Sequence, residues 1–166
     1  MADTRGPRSG RVADSAELAA QVDHVMRTTR VLVGVIAASV AGMKEPVTMT
    51  QLRVLAIVSE RGPMSVTAVA QLLEVHASNA TRTCDKLVTA GLLNRRESAQ
   101  DRRRVELTAS RRGRRLVETV MSRRRKALMA ILDRMDSKER AQTTEAFRAF
   151  ADTAGETSDD GAWIPR

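Results

Sequence analysis

Aromatic side chains are nearly missing from this 166-residue chain, which has one Trp, two Phe and no Tyr. Apolar residues nevertheless make up 42%. A core must therefore be assembled from Ala, Val, Leu, Ile and Met, a palette that favours helices packed on helices. Cysteine occurs once, at Cys84, which excludes an intrachain disulfide and any multi-Cys metal site. Long hydrophobic runs are absent as well. The opening MADTRGPRSGRVADS is polar and lacks the apolar stretch of a signal peptide. The most apolar segment, residues 31–43, holds Gly34 and Gly42 and is too short to span a bilayer. The expectation is a soluble cytoplasmic, nucleoid-associated protein with no membrane partner. Neither a glycine-rich phosphate loop nor a Ser-His-Asp or Cys-His set is apparent, so no catalytic residues, metal ligands or cofactor are expected and the chain reads as a non-enzyme.

What is abundant is arginine. Lys and Arg number 28 against 20 Asp and Glu, a net charge of +8. Between Arg95 and Arg125 stand twelve arginines against four acids, so this short stretch carries an excess equal to that of the whole chain. A charge run is commonly just a solvated face; the pattern around this one decides what it means.

Residues 1–14 lack apolar periodicity and read as a loose tail, as do residues 155–166. A first helix is predicted from Ser15 to about Ala41, stopped by Gly42. Thr50 is the expected N-cap of a helix over 51–60, and Ser65 caps the next, with Val66, Val69, Ala70, Leu72 and Leu73 on one face. A further helix starts near Ser78, buries Ala80, Cys84, Leu87 and Val88, and ends at Gly91. Residues 92–97 and 103–107 are too short for helices and read as an antiparallel hairpin. A long helix then starts at Thr108 or Ser110, and a last one, capped by Ser137, carries Ala141, Thr144, Phe147, Phe150 and Ala151 along one face. The predicted fold is mainly α: a winged helix-turn-helix with a two-stranded β-wing over 46–108, flanked by dimerisation helices over 15–45 and 109–154. The flanking helices have apolar faces with no partner in the central unit, so a second copy of the chain is expected to cover them.

In a helix-turn-helix the second helix enters the major groove of double-stranded DNA. With Ala80, Cys84 and Leu87 inward, Ser78, Asn79, Thr81, Arg82 and Lys86 project outward. Arg82 can fork onto guanine, Asn79 can pair with adenine, and Ser78 and Thr81 can reach phosphate or base; Ser78 reads equally well as the N-cap. The wing presents Asp101, Arg102 and Arg103 at its turn, where an arginine suits a narrow minor groove and Asp101 is expected to fix the turn by pairing with an arginine. Arg95, Arg96 and Arg104 are the expected phosphate clamps, although strand alternation turns one of Arg95 and Arg96 away from the DNA. Cys84 sits in the buried stripe and reads as a small hydrophobe in preference to an oxidation switch. His24 and His76 read as exposed or capping residues in preference to ligands.

The segments TQLRVLAIVSERGPMSVTAVAQLLEV and SNATRTCDKLVTAGLLNRRESAQDRRRVELTASRRGRRL resemble the MarR family of transcriptional regulators. The resemblance covers about residues 18–154. Its specific parts are Ser78-x-x-Thr81-Arg82, Lys86-Leu87…Gly91-Leu92, and Asp101-Arg102-Arg103…Leu107-Thr108…Gly113-Arg114. It implies a homodimer reading a pseudo-palindromic operator, more often as a repressor, and release by a small aromatic or phenolic effector held between the dimer arm and the DNA-binding lobe. The chain departs from the family where such a ligand would stack, because its Trp163 and two Phe lie toward the C-terminus. The alternative function is a nucleoid-type protein that coats DNA with little sequence preference. The varied polar face of the second helix favours readout, since coating needs only phosphate contacts.

Overall fold

The computed structural model describes residues 8–43, 45, 47–97 and 105–155, with side chains from residue 15 onward. The chain divides into two units, Met1–Ala41 and Gly42–Arg166. The first is a single helix, α1 (Arg8–Val40). It starts seven residues before the expected Ser15, so residues 8–14 of the expected tail are helical, and residues 1–7 lie outside the described residues. Pro7 directly precedes it in sequence, the kind of position at which proline is compatible with a helix start. Leu18, Val22, Val25 and Met26 lie exposed along α1. Among the described residues no helix is long and apolar enough to cross a membrane.

The second unit is built around α2 (Met49–Arg61), which lies against α3 (Val66–Leu72), α4 (Ala77–Thr89), α5 (Arg111–Leu132) and the second strand of a hairpin. Leu52, Val54, Leu55, Ala56, Ile57 and Val58 of α2 are all buried, so this helix is apolar nearly all round, as a central helix must be. Its N-cap is Thr48, not the expected Thr50. The Thr48 hydroxyl accepts from the Gln51 N–H at 3.2 Å, and Gln51 Oε1 accepts from the Thr48 N–H at 2.7 Å. Only Thr48 has a Gln three residues ahead, which closes the reciprocal capping box. Ser65 caps α3 as expected. The chain then reverses at Glu74, which takes a left-handed φ of 54°, into α4, which starts at Ala77 with His76 as N-cap.

Helix α4 ends in a Schellman arrangement. The Leu92 N–H donates to the Leu87 carbonyl and the Gly91 N–H to the Val88 carbonyl, both at 2.9 Å, with Gly91 at φ 69°. Leu92 is thereby used to finish the helix, and strand β1 is Leu93–Glu97. Strand β2 is Val105–Ala109, two residues later than expected. The pairing is antiparallel, with Leu93 opposite Ala109, Arg95 opposite Leu107 and Arg96 opposite Glu106. Sequence patterning missed a third partner: Met64, between α2 and α3, exchanges N–H···O bonds with Leu107 at 3.2 and 2.8 Å.

Ser110, the second of the two expected starts, caps α5, whereas Thr108 belongs to β2. Helix α6 (Ser137–Thr153) is capped by Asp136 in place of the expected Ser137. The Asp136 carboxylate accepts from the Lys138 and Glu139 N–H groups at 2.8 Å, and the Glu139 side chain closes the box. Asp136 wins because the glutamate stands three residues after it. No α6 residue is buried, and Phe147 and Phe150 are 45% and 61% exposed.

Candidate nucleic-acid interface

The amphipathic pattern of α4 sorts its side chains. Ala80, Cys84 and Leu87 are 0–1% exposed and pack into the core, while Ser78, Asn79, Thr81, Arg82 and Lys86 all lie exposed. The five residues expected to face DNA thus share one outward surface. Arg82 Nη2 donates to Asn79 Oδ1 at 2.5 Å, one helical turn away, which holds the guanidinium toward the N-terminal half of α4. The Thr81 hydroxyl donates to the Ala77 carbonyl at 2.8 Å and keeps its lone pairs outward. Ser78 lies inside the first turn, so it is not the N-cap. His76 occupies that position and makes no side-chain capping bond. The leading N–H groups of α4 therefore lack a side-chain acceptor, which suits a phosphate oxygen.

The wing arginines divide. Arg95 shares a sheet face with Leu107, turns toward α4 and forms an ion pair with Asp85. That pair ties the wing to the recognition helix and occupies one of the expected phosphate clamps. Arg96 alternates to the other face and is exposed. Asp101, Arg102, Arg103 and Arg104 lie outside the described residues.

Part of the basic run has an architectural role that sequence reasoning missed. Arg112 Nε donates to Glu45 Oε1 at 2.5 Å and its Nη1 to the Ala90 carbonyl at 3.1 Å, so one side chain joins the start of α5 to the end of α4. Arg114 Nη1 donates to the Ala109 carbonyl at 2.5 Å. The Ser110 hydroxyl donates to the Gly91 carbonyl at 2.7 Å and accepts from the Gly113 N–H at 3.0 Å. The signal for Arg112 is its place in the first turn of a helix that follows a hairpin, within reach of the carbonyls left open at the end of α4. Glu45 lies far away in sequence and offers no local signal.

Cys84 is fully buried. Burial pushes its thiol from an ordinary 9.0 up to about 11, partly opposed by the nearby Arg95 charge. The nucleophilic thiolate is accordingly suppressed at neutral pH. We expect native protein at pH 7 to resist thiol-labelling reagents until it unfolds. The sign of the pH effect follows from the raised value. In the unfolded chain the thiol ionises near 9.0 while the folded one stays protonated, so this contribution to stability is full below pH 9 and lost as the pH rises toward about 11. Denaturant titrations at pH 8 and 10.5, compared with Cys84→Ala, measure it; a pH dependence unchanged by the substitution contradicts it.

These features place an outward polar helix, a hairpin and a basic helix start in the order of a winged helix-turn-helix, and the comparisons agree. The MarR family model matches residues 47–105, which run from the α2 cap into β2. Rv1404 of Mycobacterium tuberculosis, a solved structure, superposes with a TM-score of 0.78 at 30% identity, covering 94% of this chain and all of that one. The chain belongs to the MarR family. Two Bacillus subtilis relatives of this MarR protein are described as helix-turn-helix transcriptional regulators. YhjH is 27% identical and the repressor MdtR 29% identical, each over 111 residues, 67% of this chain. The matches span 63% of YhjH and 72% of MdtR.

Proposed function

We propose that this MarR protein is a sequence-specific DNA-binding regulator that acts as a homodimer on a pseudo-palindromic operator, and that it represses transcription. The observation that carries the reading is the outward face of α4, where Asn79 holds Arg82 beside Ser78, Thr81 and Lys86. Such a face offers different chemistry at successive positions, which base readout needs and phosphate contact does not. We assign Arg102 and Arg103 to the flanking minor groove, with Asp101 pairing a neighbouring arginine at the turn, and Arg104 to a flanking phosphate. Repression is supported by the description of MdtR as a repressor.

Homodimerisation is supported by apolar surface that a single chain leaves in water, including Met129 on α5 and Phe147 and Phe150 on α6. Two-fold symmetry then requires two half-sites about one helical turn apart. A small effector would act by shifting the population of dimers with DNA-compatible spacing. The cavity of about 490 Å³ lined by Met43, Glu45, Arg112, Arg115, Leu116 and Thr119 is the proposed seat. None of its described lining residues is aromatic, so a phenolic effector would be held there by its oxygen atoms and not by stacking.

Footprinting on genomic fragments tests the reading. Discrete paired half-sites are expected, with specific binding roughly 10³-fold or more tighter than non-specific binding at physiological salt. The double variant Phe147→Ser/Phe150→Ser is expected to sediment as a monomer and lose the paired footprint. Uniform protection without preferred sites would instead identify a DNA-coating protein.

A further inference from the structure

A second cavity, also of about 490 Å³, lies at the base of the wing. Its volume is that of a small-molecule site, for which about 300–1,000 Å³ is usual. Polar residues line it from four places: Ser59 at the end of α2, Asn94 and Arg96 on β1, Ser110 at the cap of α5, and Arg111 and Arg114 in its first turn. The placement follows from simple periodicities. Asn94 and Arg96 are two apart on a strand and share a face. Arg111 and Arg114 are three apart on a helix and stand on one side.

The charge balance of this cleft is one-sided. Among the described residues three guanidinium groups line it and no carboxylate does. Among the described residues neither Arg96 nor Arg111 forms an ion pair or hydrogen bond with an acid, although Glu106 faces Arg96 across the strands. Arg114 gives one N–H to the Ala109 carbonyl and retains others. The positive end of α5 adds to the same potential.

We infer that this cleft binds a small oxyanion carrying two negative charges, a phosphate or phosphomonoester, held by Arg96, Arg111 and Arg114 with Asn94 completing its hydrogen bonds. Planar guanidinium forks suit such oxygens. The cleft lies on the face of the wing away from α4. Arg95 turns to Asp85 of α4 on one face of the sheet, whereas Asn94 and Arg96 line the cleft from the other. An anion there joins the wing base to the start of α5, giving the cell's phosphate metabolites a handle on wing position from a cleft that meets the cavity beside Glu45 at Arg111.

The test uses full-length protein without DNA. Calorimetric titrations with inorganic phosphate and with glycerol 3-phosphate are run at constant ionic strength, balanced with chloride. One saturable site per chain is expected. Tighter binding of inorganic phosphate names the free ion as the ligand; tighter binding of glycerol 3-phosphate names a phosphomonoester. Loss of each arginine is expected to weaken binding roughly tenfold or more, so Arg96→Gln/Arg111→Gln abolishes the signal while Arg115→Gln, which lines only the other cavity, retains it. If the double variant does not fold by circular dichroism, Arg96→Gln, an exposed strand residue, is read alone. A response that never saturates, or one that survives in the variants, overturns the inference. So does absence of phosphate binding together with a flatter salt dependence of DNA affinity in Arg96→Gln, which would make the cleft a DNA-backbone contact. Because the titration omits DNA, its failure leaves the operator reading standing, and the reverse holds too.

Discussion

Adding one methyl group at Gly113 is expected to lower the melting temperature by roughly 6–12 °C, the equivalent of about 3 kcal/mol in a chain of this length. Gly113 lies in the first turn of α5 and is buried. A Cβ there would stand 2.2 Å from the Leu92 carbonyl oxygen and 2.9 Å from Leu55 Cδ1. The Leu55 methyl can rotate; the carbonyl cannot easily move. That oxygen accepts the Ser110 N–H at 3.0 Å, and Leu92 itself is fixed by the Schellman bonds that end α4. Relief of the clash must therefore pull α5 away from the point where α4, the wing and α2 converge. Opposing this, Ala is intrinsically favoured over Gly inside a helix by about 1 kcal/mol, so a neutral or raised melting temperature for Gly113→Ala would mean that α5 docks more loosely than its contacts show. The outcome also bears on DNA binding, because the same contact sets where the wing leaves the core.

Much of this arrangement is legible in the residues themselves. The alternation that buries Ala80, Cys84 and Leu87 also exposes Asn79, Arg82 and Lys86, so one periodicity fixes both the core face and the candidate reading face. Gly91 and Ser65 mark boundaries because their chemistry is local. The misses are also local in origin. Thr48 and Thr50 are equally good caps by residue type, and only the Gln three residues after Thr48 separates them. Asp136 and Ser137 are separated the same way by Glu139.

The basic run was the least legible part. Composition makes its arginines look alike, yet Arg95 is paired with Asp85, Arg112 with Glu45, and Arg114 with the end of β2. Those partners are set by tertiary approach, and side-chain identity alone says nothing about which carboxylate or carbonyl will be near. The same limit hid the Met64–Leu107 bridge, since a single paired residue has no pattern to detect. Periodicity marks the apolar face of the last helix without naming the surface that covers it; Phe147 and Phe150, expected on a face that a second copy covers, are exposed in the single chain.

Within the proposed regulator, the other large effect is expected at Arg82. Removing a bidentate base contact typically costs about 1–3 kcal/mol. A homodimer presents the residue twice, so Arg82→Ala should weaken operator binding by about 2–6 kcal/mol, or roughly 30-fold to 10⁴-fold. The loss should concentrate at one position in each half-site, where the variant tolerates all base pairs. Arg82→Lys should not restore the preference, because an ammonium lacks the planar fork. Asn79→Ala should cost less, since it frees the guanidinium from its 2.5 Å bond without removing it. Salt dependence separates base contacts from phosphate contacts. Replacing a base contact leaves the log–log slope nearly unchanged, whereas Lys86→Gln, if Lys86 meets a phosphate, should reduce it by roughly 0.9 per half-site. Should Arg82→Ala instead weaken all DNA sequences alike and flatten the slope, Arg82 would be a backbone contact, and base readout would have to move to Asn79 and Ser78 in the first turn of α4.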